Sequence, residues 1–430
     1  MGKARLIDWL HQRTSLLLTN PQFLRLWLGQ SISVLGDWVG FTALTLHVYN
    51  ITGSASALAI LTIVRSLPIL LFGPMAGVMV DRFSRRQIML LSDVARALLF
   101  ALLPFTTTFS QMVVITFLTA AISTFFNPAL MALTPDLVEK KQLIKANSAL
   151  FSASNLMMIV GPALGGFIVG FGGAHQAFWF DAITFLASSL AIFFITEKWP
   201  KGDTTQKKQV KATWFRDLAL GLSYIIRQQA ILVMTIEMMI MALGLVSITV
   251  LEVIFVKSVL GAGDQGYGIL LSVAGIGALI GSLTAGWLSK KASASFLFCW
   301  TGVLGGLTFF LYANIPYFPV TLGIVFVQTS IFSLGQVVAQ GLMQQLVPED
   351  LRGRVFSLII SGHTVIRVLG VAAWGTLIDY IGVIPIFNLA GSVATLAGLF
   401  ILVNMTHLQT AEDQALTRVT ADSPVAVKSA

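Results

Sequence analysis

Gly77-Val78-Met79-Val80-Asp81-Arg82-Phe83-Ser84-Arg85-Arg86 is the stretch on which the reading of this chain turns. Four of its residues are charged, yet the runs on either side carry almost no charge. Residues 56–80 hold only Arg65, and residues 87–108 hold only Asp93 and Arg96. Each run matches the roughly 20 apolar residues that a helix needs to cross the hydrocarbon core. A short charged turn between two such runs is a loop at one membrane face. Gly77 permits a close turn, and Asp81, Arg82, Arg85 and Arg86 supply an acidic–basic network that can hold one state and break in another. The plainer reading of the arginines is that they only orient the chain in the membrane.

The same pattern extends in both directions. Twelve spans are predicted, near 24–49, 56–80, 87–108, 111–133, 146–170, 175–196, 231–256, 266–289, 294–313, 317–346, 355–379 and 383–406. The runs do not alternate in the short segments of a membrane β-barrel, so the fold class is all-α. Composition agrees. Of the 430 residues, 56% are hydrophobic and 11% charged, against about 25% charged in soluble domains. A soluble or disordered chain is therefore excluded. Cys299 is the lone cysteine, which excludes an internal disulfide and a cysteine-based zinc cluster.

The net charge of +8 would suggest nucleic acid in a soluble protein. Its distribution says otherwise. Every Lys and Arg except Arg65, Arg96, Lys257 and Arg367 falls at one membrane face: the N-terminal segment, the loops after even-numbered spans, or the tail. Basic loops stay in the cytoplasm, so both termini are expected there, in a multi-pass protein of the cell (inner) membrane. Residues 1–20 lack the compact apolar region of a signal peptide.

The predicted organisation is a cytoplasmic segment at 1–23, a six-helix half at 24–197, a linker at 198–230, a second half at 231–406, and a disordered cytoplasmic tail at 407–430. The linker stretch Trp214–Arg227 has helical apolar spacing and reads either as a helix along the cytoplasmic face or as an extension of span seven. The halves echo one another at an offset of 209: Gly77 with Gly286, Gly161 with Gly370, Gly166 with Gly375. Pro135-Asp136 before span five resembles Pro348-Glu349 before span eleven. Parallel six-span repeats around a central cavity are a known transporter plan.

Span five carries Gly161-Pro162-Ala163-Leu164-Gly165-Gly166. The proline bends the helix and the glycines permit close packing; an ordinary kinked helix is the simpler reading. Further local patterns are Gly36-Asp37, Asp93-x-x-Arg96, Phe126-Asn127-Pro128-Ala129, Leu133-Thr134-Pro135-Asp136, Ala146-Asn147-Ser148 and Leu351-Arg352-Gly353-Arg354.

Together these motifs resemble the major facilitator superfamily over nearly the whole chain. The loop at 77–86 is similar to its signature loop, and the span-five motif to the one common in its exporters. The branch most resembled is the third drug/proton antiporter group, which includes macrolide-efflux and enterobactin-exporter proteins. Span four departs from the pattern, because it lacks the arginine that other drug/proton antiporters carry. The resemblance implies two six-helix halves that rock around a central cavity and export a small amphipathic compound, a drug such as a macrolide or a siderophore, by proton antiport.

Charges inside the bilayer are costly and are functional candidates by default. These are Asp37, Arg65, Asp93, Arg96, Glu237 and Arg367; Asp181 and Glu252 also fall within spans. Asp37 is the expected proton-titrating carboxylate, with Arg65 as partner, although a permanent ion pair is equally open. Asp93 and Arg96 share one helix face and read as a static pair. His363, four residues before Arg367, reads as a packed histidine.

Other signals carry no function. Gly261-Ala262-Gly263-Asp264-Gln265-Gly266 fits G-x-G-x-x-G but has no strand–helix context. No P-loop, metal pair or nucleophile–base set is visible, so an enzyme, a metal and a cofactor are not expected. The expected partners are a small-molecule substrate, protons and the lipid bilayer, with no nucleic acid, for a monomer. A lipid or lysophospholipid flippase or an uptake symporter of the same fold is the alternative, and a membrane sensor or enzyme is the more distant one.

Overall fold

The computed structural model of the chain describes residues 19–139, 142–196 and 214–421. Among the described residues every regular element is helical. In chain order the α-helices are α1 (Pro21–Thr52), α2 (Ala55–Arg82), α3 (Arg85–Leu102), α4 (Phe109–Leu137), α5 (Leu143–Gly172), α6 (Ala174–Phe193), α7 (Trp214–Arg227), α8 (Gln229–Ile254), α9 (Gly263–Leu288), α10 (Ala294–Asn314), α11 (Phe318–Leu346), α12 (Glu349–Ile381), α13 (Val383–Val403) and α14 (Met405–Ala421). All but α7 and α14 are long and apolar enough to cross a membrane, which makes twelve spans among the described residues. A helix satisfies its own backbone polar groups, so it is the form such runs take in lipid.

Local chemistry sets the ends. Asn20 accepts from the Phe23 N–H (3.0 Å) and Pro21 opens α1, both favourable N-terminal choices. Thr108 and Gln111 form a capping box at α4. Two further features recur at the offset of 209. Ser84 and Ser293 cap α3 and α10 by accepting from the backbone N–H of Gln87 and Phe296. Gly173 and Gly382, with φ of 80° and 81°, turn the chain from α5 to α6 and from α12 to α13. Glycine alone adopts such angles without strain.

The helices form two compact units. The first holds α1–α6 together with the segment Gly261–Ser272; the second holds α7, α8, the rest of α9, and α10–α14. In the first, α1 lies against α5 and α6, α3 against α4 and α6, and α2 against α4. Its core includes Phe23, Leu26, Met89, Phe126 and Leu133. In the second, α8 lies against α12 and α13, and α10 against α11 and α13, around Met234, Cys299, Leu342, Val355 and Ile401. Side chains such as Leu91, Leu98, Leu186, Leu190, Leu283 and Leu396 are exposed, as lipid-facing residues are.

Two helices differ from simple expectation. Gln228 breaks the helix between α7 and α8 with extended backbone angles, so α7 is a separate helix and not an extension of span seven. Gly221 lets α7 approach Arg354 and Leu358 of α12, and the Tyr224 hydroxyl donates to the Leu346 carbonyl (3.3 Å). The expected disordered tail is corrected by α14, which runs as far as Ala421. Leu408 is fully buried there. Glu412 accepts from the backbone N–H of Ala294 (2.9 Å) and Ser295 (3.0 Å) and from the Ser295 hydroxyl (2.6 Å). The first N–H groups of a helix lack intrahelical partners and favour a negative charge, which is the physical reason the tail is held. The rest of the tail, residues 1–18 of the N-terminal segment and 197–213 of the linker lie outside the described residues.

Candidate functional site

The first unit contains a buried charge cluster with Arg96 at its centre. Arg96 pairs with Asp93, one turn earlier on α3, and approaches Asp37 of α1 to 3.7 Å. The rings of Phe126 and Phe185 lie 4.6 and 4.3 Å from its guanidinium carbon. Aromatic faces of this kind stabilise a cation withdrawn from water. Asp93 and Arg96 are buried, whereas the Asp37 side chain is 36% exposed. The structure therefore joins Asp37 and the Asp93–Arg96 pair, which the sequence presented as separate features, into one network. Arg65, the partner expected for Asp37, stands with its guanidinium carbon 4.4 Å from the Phe41 ring centroid.

A fourth member, Asp181 of α6, was visible in the sequence as a carboxylate in an apolar run and was not selected as a site residue. It is fully buried. The Thr184 hydroxyl donates to the Asp181 carbonyl (2.7 Å) and lies 3.2 Å from Oδ1. The carboxylate rests against α1 at Gly36 and Gly40, where a Cβ on either glycine would collide with it. Asp93 Oδ2, Asp181 Oδ2 and Arg96 Nε are buried and have no hydrogen-bond partner among the described residues. The second unit has no copy of this cluster. At the offset of 209, Val246, Gly302, Gly305 and Ala390 replace Asp37, Asp93, Arg96 and Asp181.

The other candidate charges stand apart. Glu237 of α8 is buried in the second unit, its carboxylate facing Gly302 of α10. Arg367 and His363 lie on exposed positions of α12.

Arg85 and Arg86 open α3 and fasten it within the first unit. Arg85 pairs with Asp136 at the end of α4 and donates to the Ala132 carbonyl (3.0 Å). Arg86 donates to the carbonyls of Ile192 (3.2 Å) and Phe193 at the end of α6. Cations are favoured at helix C-termini, so this basic pair binds two of them. Arg82 is exposed in the last turn of α2. Gly77 and Asp81 sit on the same helix, but their side-chain surroundings lie outside the described residues.

The Gly-Pro motif of α5 serves two contacts. Gly161 and Gly165 lie against α1 at Trp38, Val39 and Thr42. Gly166 and Pro162 lie against Gly268: a Cβ on Gly166 would stand 2.8 Å from the Gly268 Cα. The Ala163 N–H donates to the Ser272 hydroxyl (3.0 Å). These close contacts explain why Gly261–Ser272 belongs to the first unit.

Comparison with known proteins places the family and the fold. A family profile from the major facilitator superfamily, described as transmembrane secretion effector, matches residues 15–428. The MFS-type transporter YfiS of Bacillus subtilis (strain 168) is 29% identical over 384 residues, covering 87% of this chain and 91% of that protein. Macrolide efflux protein A of Streptococcus pyogenes is 26% identical over 404 residues, covering 86% and 93%. Among solved structures, a bacterial homologue of the human lysosomal transporter Spinster aligns with a TM-score of 0.69 at 13% identity, covering 92% of this chain and 97% of that one. Identity at that level speaks for the fold alone.

Proposed function

Because the chain belongs to the transmembrane secretion effector family of the major facilitator superfamily, and is therefore a multi-pass membrane transporter and not an enzyme, we propose that it exports a small amphipathic compound from the cytoplasm by proton antiport. The likeness to a macrolide efflux protein supports a macrolide-like drug as substrate, with a siderophore as the second candidate class. The protein acts as a monomer with both termini in the cytoplasm.

The observation that carries the coupling is Asp37. It is a carboxylate within a span, partly exposed and 3.7 Å from a buried guanidinium. A proton on Asp37 removes one of the two charges that hold Arg96 and so changes the forces between α1 and α3. A ligand shifts a conformational equilibrium only through different affinities for its states. Proton and substrate meet this condition when each binds one state better. Glu237 and Arg367 are kept as further coupling candidates, and the loop at 77–86 as the cytoplasmic gate.

The test is export of a macrolide and of a fluorescent cationic dye from cells expressing the protein, with and without a protonophore. Gradient-dependent export that falls to the vector-only level in Asp37→Asn is the expected result. Export that survives collapse of the proton gradient overturns antiport. Inward accumulation or lipid scrambling in proteoliposomes overturns export.

A further inference from the structure

Three carboxylates, Asp37, Asp93 and Asp181, share the buried cluster of the first unit with Arg96 and, further out, Arg65. If all were ionised, acids would outnumber cations. A low-dielectric site tolerates charge only when it is paired or hydrated. Asp93 is bonded directly to Arg96. Asp37 has Arg96 at 3.7 Å and an exposed edge. Asp181 has neither: its side chain is fully buried, and no guanidinium among the described residues lies within ion-pair distance of it. Thr184 reaches one oxygen, and the other has no partner. The surplus negative charge therefore has one place to be neutralised.

The approach of α1 is built around this carboxylate. Gly36 and Gly40 bracket it, one on each side of Asp37 along the helix. With a side chain at either position α1 would be pushed away. The charged groups whose fields act on Asp181 are Asp37 on α1, Arg96 on α3 and Arg65 on α2, and the uncharged Thr184 hydroxyl lies on its own helix.

We infer that Asp181 is a neutral, proton-carrying acid at rest, and that it exchanges this proton with water through the partly exposed Asp37. The inference rests on the proton-antiport reading above and adds a hidden store behind the entry port. In the transfer, the proton leaves the Asp181 carboxyl group for the Asp37 carboxylate. Asp181 becomes the anion, Asp37 the neutral acid, and net charge is conserved. Arg96 stays bonded to Asp93 throughout, and its second neighbour, Asp37, is then neutral.

Infrared difference spectroscopy of the purified full-length protein at neutral pH tests both parts without a substrate. Subtracting the Asp181→Asn spectrum from wild type is expected to reveal a lost carboxylic-acid carbonyl band. Loss of an ionised carboxylate band instead overturns the inference. If Asp181→Asn does not fold, Thr184→Val serves: it is expected to shift a carboxylic-acid band, and an unshifted band overturns the assignment. On transfer to heavy water, the Asp181 band is expected to exchange at least tenfold more slowly in Asp37→Asn, and at the wild-type rate in Asp37→Glu. Equal exchange in wild type and Asp37→Asn overturns the port. An acidic Asp181 in a protein whose export ignores the proton gradient condemns antiport alone. An ionised Asp181 in a proven antiporter condemns this inference alone.

Discussion

Arg96 shows how one residue can bind an active region together. It faces Asp93 and Asp37 and is covered by two aromatic rings. Removing one partner of a buried ion pair costs about 3–5 kcal/mol, because the charge left behind is uncompensated. Arg96→Met is therefore expected to lower the melting temperature and yield of the purified protein sharply. Arg96→Met combined with Asp93→Asn should recover part of the loss, since neighbouring effects do not add. Gly40→Ala places a methyl group against Asp181 and 2.7 Å from Phe100, so it should destabilise measurably. Gly323→Ala, where a Cβ meets open space, should be neutral or stabilising by about 0.5–1 kcal/mol. Comparison of the two melting curves checks the difference. As isolated charges in apolar runs, Asp37, Asp93 and Arg96 were legible in the sequence. Their assembly was not, because Arg96 reaches Asp37 only after α1 and α3 have each packed against α6. Asp181 was passed over for the same reason: nothing near it along the chain marks it as part of a cluster.

Among the elements, the spans were the most legible. A helix must present about 20 apolar residues to cross the membrane, and that demand is written locally. The amphipathic α7 was legible as a helix, though its separation from α8 depends on the backbone at Gln228. The tail helix α14 was not legible. Its sequence is polar, and what holds it is Glu412 at the start of α10 and the buried Leu408. Glu412→Ala should cost about 0.5–2 kcal/mol, the range of a lost helix cap, read from thermal or denaturant unfolding. Deleting residues from 405 onward should cost more, because Leu408 is lost as well. The motif in α5 was legible as a close-packing device, but its second contact, with Gly268, was not. Gly166→Leu should leave span insertion intact and abolish transport, since backbone stands where the side chain would go. Surface expression measured beside efflux separates the two effects.

For the whole molecule, the distribution of basic residues predicts the orientation in the membrane. Reporter fusions to both termini are expected to read cytoplasmic: a fluorescent protein bright, a periplasmic phosphatase inactive. The reverse pattern would overturn the orientation. The likeness between the two halves is also a whole-molecule property. It extends beyond matched glycines to the serine caps and the glycine turns 209 residues apart. The charges of the cluster do not repeat, so the two units share a scaffold and differ in chemistry.

The sequence by itself determined the number of spans, their places and the charged face. Each of these answers to a one-dimensional demand: apolar length against bilayer thickness, and basic charge against translocation. The tertiary structure alone decided which guanidinium meets which carboxylate, which acids are buried, and where the start of α9 and the tail are held. Those outcomes depend on the distance and dielectric between residues far apart in the chain, and packing sets both.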